Sequence, residues 1–146
     1  QEFGEKGMDK ACYEAYDSCL HYAPDNVGAL NNYAYYLSLD SAADLQKAEQ
    51  MSLKAVQKEP DNATFLDTYA WILFKEKRYD DAKTSAERAI ASDSTLSSVV
   101  VEHCGDIFYM AGDTDRAMEM WQKAAQEDED NAILRRKIEL KKYIEE

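Results

Sequence analysis

Small residues recur in pairs seven apart along this 146-residue chain, at Cys12 and Cys19, Ala48 and Ala55, Ala82 and Ala89, and Ala117 and Ala124. The first members of successive pairs are separated by 36, 34 and 35 residues. No other feature narrows the fold so far. Seven residues are two turns of an α-helix, so both members of a pair lie on one face. A period of 34 to 36 residues holds two helices with their turns. A unit that small cannot bury its own apolar face and must stack on neighbours of its own kind. Five residues beyond each second member comes a helix stop, at Pro24, Pro60, Ser94 and Glu129. Three of these stops are followed by Asp-Asn, namely Asp25-Asn26, Asp61-Asn62 and Asp130-Asn131. The Asn is placed to cap the next helix.

Upstream of each of the last three pairs a second helical pattern appears, with apolar residues spaced by three, one and three. It reads Leu30, Tyr33, Ala34, Leu37, then Leu66, Tyr69, Ala70, Leu73, then Val101, Cys104, Gly105, Phe108. Each unit is therefore a helical hairpin. The small residue in the middle of the first helix lets the second helix come close, and the small pair on the second helix receives it. Five glycines and two prolines are too few for the many turns of a sheet protein. The expected fold is all-α, with eight helical segments centred near residues 15, 33, 51, 69, 86, 105, 121 and 138 stacked into a right-handed superhelix.

These residues resemble the tetratricopeptide repeat (TPR), a helix-turn-helix unit of about 34 residues. Ala117, Trp121 and Ala124, with Gly112 upstream, follow its pattern, as do Ala48, Ala55 and Pro60. Ser52 and Ala86 stand where the repeat carries an aromatic, and Ser94 and Glu129 where it carries Pro. The tiling is a partial repeat over 1–26, full repeats over 27–62, 63–97 and 98–131, and a capping helix over 132–146, all in one domain. Phe3 and Gly7 fall where the end of a first helix and its turn belong, so the chain is expected to start inside a repeat of a longer array. The helix over residues 8–22 should then expose an apolar edge that favours self-association. The two extra residues of the 27–62 unit fall in the stretch SLDSAADLQ, where a longer turn costs little.

Residues 132–146 hold five basic and three acidic side chains, a net +2, against −14 for the rest of the chain. The capping helix should turn Ile133, Leu134, Ile138 and Leu140 inward and keep Arg135, Arg136, Lys137, Lys141 and Lys142 wet. The overall charge of −12 has the wrong sign for coating a polyanion, which excludes a general nucleic-acid binder. No run of apolar residues is long enough to span a bilayer. Cys12 and Cys19 are about 10 Å apart along one helix, too far for a disulfide, and read as small core residues.

No phosphate loop, HExxH, Gly-x-Ser-x-Gly or CxxC motif is present, so no enzyme, cofactor or metal is expected. Glu102, His103 and Asp106 could share a helix face but lack a fourth ligand. What remains is the surface that the repeat creates. The resemblance implies a concave groove lined by the second, fifth, ninth and twelfth residues of each unit. Here those are Gly28, Asn31, Tyr35 and Ser38, then Thr64, Asp67, Trp71 and Phe74, then Val99, Glu102, Asp106 and Tyr109. The candidate partner-binding residues are Asn31, Tyr35, Asp67, Trp71, Phe74, Glu102, Asp106 and Tyr109. Their aromatic and acidic mix suits a protein or peptide partner, a basic one above all. Packing of Trp71 and Phe74 against neighbouring helices is the alternative. Some proteins with this repeat hold acidic chaperone tails in a Lys, Asn and Arg clamp. Asp67, Glu102 and Asp106, with only Lys75 and His103 as nearby cations, disfavour one here. The expected function is an interaction scaffold, with a self-assembly module as the alternative. Residues 66–82 and 102–124 resemble the C-terminal repeats of long bacterial envelope proteins, which implies a periplasmic or outer-membrane setting without closing the cytoplasmic one.

Overall fold

The computed structural model describes residues 10–39, 44–92 and 96–143. Eight helices occupy them: α1 (Lys10–Tyr22), α2 (Val27–Leu39), α3 (Leu45–Lys58), α4 (Ala63–Lys75), α5 (Tyr79–Ser92), α6 (Ser98–Met110), α7 (Thr114–Glu127) and α8 (Ala132–Leu140). There is no strand among the described residues. Phe3, Gly7, Ser94 and part of the SLDSAADLQ turn lie outside them.

The helices begin where short polar side chains can accept from free backbone N–H groups. Asn26, Asn62 and Asn131 accept from the N–H of Ala29, Phe65 and Leu134 at 3.1, 3.1 and 2.9 Å, heading α2, α4 and α8. Asp44, Ser97 and Asp113 do the same for α3, α6 and α7. Three helices of the first kind end alike, with a residue in the left-handed region and a hydrogen bond reaching back five residues. Lys77 (φ 64°), Gly112 (φ 94°) and Lys141 (φ 56°) take the left-handed position. Arg78, Asp113 and Lys142 then donate to the carbonyls of Leu73, Phe108 and Lys137.

Helices α2 with α3, α4 with α5, and α6 with α7 pack as antiparallel hairpins, and successive hairpins stack. Each hairpin closes on the small residues. Ala34, Ala70, Ala48, Ala55, Ala82, Ala89, Ala117 and Ala124 are all fully buried. At Gly105 the fit is tightest, because an added Cβ would lie 2.4 Å from Cδ1 of Trp121. The outcome is a solenoid of helical hairpins closed by α8.

Three expectations are corrected. Leu140 does not turn inward but is 48% exposed, at the last residue of α8 where the helix leaves the hairpin it covers. Cys19 is exposed and Cys12 only half-buried, so neither is a core thiol, because no described helix covers the face of α1 that carries them. Lys137 is not on a wet face. Its relative exposure is 0%, because its stem lies inside the α8 contact and its ammonium reaches two buried carboxylates.

Candidate partner-binding face

Helices α2, α4 and α6 lie side by side, with α4 touching both others. This brings the fifth residue of one repeat beside the sixth of the next. Asp67 on α4 accepts from His103 Nδ1 on α6 at 3.1 Å. Glu102 on α6 accepts from Lys137 Nζ on α8 at 2.7 Å, and Asp106 Oδ1 accepts from the same ammonium at 2.8 Å. Asp106 also accepts from Trp121 Nε1 at 3.0 Å, and Glu102 from Asn131 Nδ2 at 3.0 Å. At the third such junction Asn31 on α2 is buried, and its Oδ1 has no partner among the described residues.

Electrostatics follow from this stacking. Burial works against the imidazolium of His103, but the charge and hydrogen bond of Asp67 outweigh it, so its pKa is raised. Burial likewise opposes the Lys137 ammonium, and Asp106 and Glu102 more than offset it, so it stays charged. Asp106 is pushed up to about 6 by burial, although Lys137 and Trp121 pull it down. The Cys104 thiol is raised far above its usual range by burial, which leaves it unreactive.

A pile of rings runs beside these charges. Trp71 stacks on His103 at 4.0 Å between centroids and on Phe74 at 4.7 Å. Phe74 meets the edges of Tyr79 and Tyr143 at 5.6 and 5.4 Å. Lys75 lies over Trp71, and Lys137 over Tyr143.

The eight candidate residues therefore divide. Tyr35 and Tyr109 are half-buried, and Tyr109 stacks on Trp121. Asn31, Asp67, Trp71, Phe74, Glu102 and Asp106 are buried, Trp71 to 7% exposure. Five of those six form one connected set with His103, Lys137 and Tyr143, while Asn31 stands apart. Glu102 and Asp106 share the Lys137 ammonium, while His103 turns away to Asp67. Among the described residues no group of three or more His, Cys, Asp or Glu side chains could hold a metal ion, and no helix is long and apolar enough to cross a membrane.

Sequence reasoning missed Lys137 and Tyr143. A signal for Lys137 was present. His103 follows Asp67 by 36 residues and Lys137 follows Glu102 by 35, so the repeat period itself pairs them. Lys137 is thus a third cation near the acidic residues, beside Lys75 and His103. Nothing comparable marks Tyr143, which lies beyond the last helix. Elsewhere, a cleft lined by Tyr69, Arg78, Thr84 and Arg88 offers two guanidinium groups, but Arg78 is already held by Glu49 and Asp81 at 2.9 and 3.1 Å.

No known family pattern matches the chain. A curated relative, stress-induced-phosphoprotein 1 of Caenorhabditis elegans, is 25% identical over 107 residues, which cover 69% of this chain and 33% of that protein. The chain thus spans about a third of that relative's length. Among solved structures, a thermophilic TPR protein of Thermus thermophilus superposes with a TM-score of 0.70 at 15% identity, over 90% of this chain and 72% of that one. The MamA protein also gives a TM-score of 0.70, at 20% identity, over 88% and 69% of the two chains. The small-residue hairpins, the 34 to 36 residue period and these superpositions agree: the chain folds as a tetratricopeptide-repeat solenoid closed by a C-terminal helix.

Proposed function

We propose that the chain is a protein-interaction module, whose concave face, formed by α2, α4 and α6, takes a peptide or a segment of a folded partner. One observation carries the reading: the two ends of this face differ in occupancy. Its C-terminal part is filled by the chain's own Lys137 and Tyr143, whereas in its N-terminal part, near the half-buried Tyr35, the buried Asn31 carbonyl lacks a donor among the described residues. A peptide N–H would meet that carbonyl at little further desolvation cost. The charge of −12 favours basic partners through association rate. Neither a cofactor nor catalysis enters this reading.

The test is capture of partners by the full chain, followed by comparison with Tyr35→Ala and with Lys83→Ala as control. Loss of about 2 kcal/mol of binding at Tyr35 is expected, typical of a central aromatic. Equal binding by all three proteins would sink the reading. Trp71→Ala is a poor probe, because Trp71 packs between Phe74 and His103 and its removal disturbs the fold as well. Charge reversal at Glu102 or Asp106 suffers likewise through Lys137.

A second reading is self-association. Ala48, Ala82 and Ala117 and their partners are sealed, yet the equivalent face of α1 leaves Cys19 exposed, with Tyr22 86% exposed nearby. Light scattering across a concentration series tests it, and a strict monomer at high micromolar concentration would count against it.

A further inference from the structure

After α8 the described residues turn back along the array. Lys141 takes the left-handed turn that elsewhere sends the backbone into the next helix, and Lys142 closes it by donating to the Lys137 carbonyl. Tyr143 is thereby carried back past α6 to α4, where its ring meets Phe74 edge-on at 5.4 Å and lies 5.3 Å beneath the Lys137 ammonium. A T-shaped ring contact and a cation over the ring face are both favourable contacts for an aromatic side chain.

We infer that Phe74 and Lys137 form an aromatic-anchor pocket on the concave face, which the chain fills with its own Tyr143 until a partner segment bearing an aromatic side chain displaces it. The inference rests on the proposed groove binding and adds the chemistry of the partner at this point. The pocket is built from rigid parts. Phe74 is backed by Trp71 and Tyr79, and Lys137 is fixed between Glu102 and Asp106. Tyr143, by contrast, follows the last turn of the last described helix and can leave without breaking any of these contacts. A tethered ring competes at the high local concentration that a short linker gives, so an incoming aromatic meets a reduced apparent affinity while the tyrosine is seated. The pocket therefore selects against weak aromatic ligands and admits those with further contacts along the groove.

The test uses the full chain and its Tyr143→Ala variant, with indole nitrogens labelled for NMR. The probe is a synthetic peptide of residues 137–146, and the control is the same peptide with Ala in place of Tyr. Because Trp71 stacks on Phe74, its indole signal reports on the pocket. The Tyr peptide should shift that signal in the Tyr143→Ala protein at a concentration at least tenfold lower than in the parent, and the Ala peptide should shift neither. Tyr143→Phe keeps the ring and should behave as the parent, while circular dichroism checks that all proteins fold alike. Matching titrations for parent and Tyr143→Ala, or an Ala peptide as effective as the Tyr peptide, would overturn the pocket. If captured partners bind the concave face but gain nothing from Tyr143→Ala, competition by the tail is refuted and the groove reading survives. If the peptide binds as expected while no partner responds to Tyr35→Ala, the pocket survives and the groove reading falls.

Discussion

The first and last junctions of this array use the same two positions and reach opposite results. Between α6 and α8, Glu102 and Asp106 face a lysine with 0% exposure, and both carboxylates hold its ammonium. Between α2 and α4, Thr68 holds the position that Lys137 takes in α8, and the Asn31 carbonyl has no partner among the described residues. The helical hairpins are built alike in both places, so the difference lies in one residue of each following helix. A repeat thus sets the scaffold, while the sixth residue of the next unit decides whether the polar atoms at a junction are paired.

Breaking the sealed junction should have the largest effect. Lys137→Met removes the ammonium held between two buried carboxylates and should cost about 3–5 kcal/mol, read from urea unfolding. Lys47→Met, which removes an exposed pair with Asp17 at 3.4 Å, should cost under about 1 kcal/mol. If the two variants unfold alike, the buried triad has no special weight. Lys137→Met should also slacken Tyr143, raising solvent exposure of the tail in hydrogen exchange.

Packing shows the same contrast on a smaller scale. Gly105→Ala would press its Cβ to 2.4 Å from the Trp121 ring, with Trp121 itself tied to Asp106. A loss of about 1–3 kcal/mol is expected from overpacking. Gly28→Ala near the other end meets nothing closer than 3.5 Å and should be neutral or slightly stabilising. Comparable thermal unfolding of both variants would contradict the difference in closeness.

Acidification offers a third way to sharpen the contrast. Burial, and then the Glu49 carboxyl, raises Glu76 from 4.5 to about 7. Asp106 is raised from 3.8 to about 6, and His103 lies above its usual 6.5. Each holds its proton more tightly in the folded state. Its contribution is fully present below the unfolded pKa and is lost as pH rises through the folded one. Melting temperature should therefore climb as pH falls from about 8 to about 5. Glu76→Gln should flatten the slope between pH 7 and pH 4.5, the interval between its folded and unfolded values. A profile that falls over this window would refute these assignments. None of the three groups lies in α1, α2 or α3, although Glu49 of α3 contributes to the shift of Glu76.

The hairpin architecture was legible because it depends on spacing. Pairs such as Ala48 and Ala55 declare a helix face, and Asn62 and Asn131 declare where helices start. The inner face was legible as a set of positions but not as a surface. Trp71 and Asp106 are where the period places them, yet whether either meets solvent depends on side chains 30 or more residues away, His103 for one and Lys137 for the other. Reading Lys137 as wet followed from its basic neighbours Arg135 and Arg136, which are indeed exposed. One residue of helical rotation separates them from the core. Tyr143 could not be placed at all, since the left-handed turn at Lys141 that aims it has no glycine to announce it.

The smallest expected effect concerns the open junction. Asn31 holds a buried acceptor without a donor among the described residues, which penalises the folded state, and leucine has the same branched shape, with bulkier ends but no polar atom to desolvate. Asn31→Leu should therefore stabilise the chain by about 1 kcal/mol or leave it unchanged. Most substitutions of a buried polar residue do the reverse, and Asp67→Leu should, because it strands His103 without its partner at 3.1 Å. If Asn31→Leu destabilises by as much as Asp67→Leu, the carbonyl has a structural partner and the first junction is sealed like the last. If it stabilises the fold and also weakens a captured partner, the vacancy costs stability for the sake of binding, and the two ends of the array differ because one is finished and the other is used.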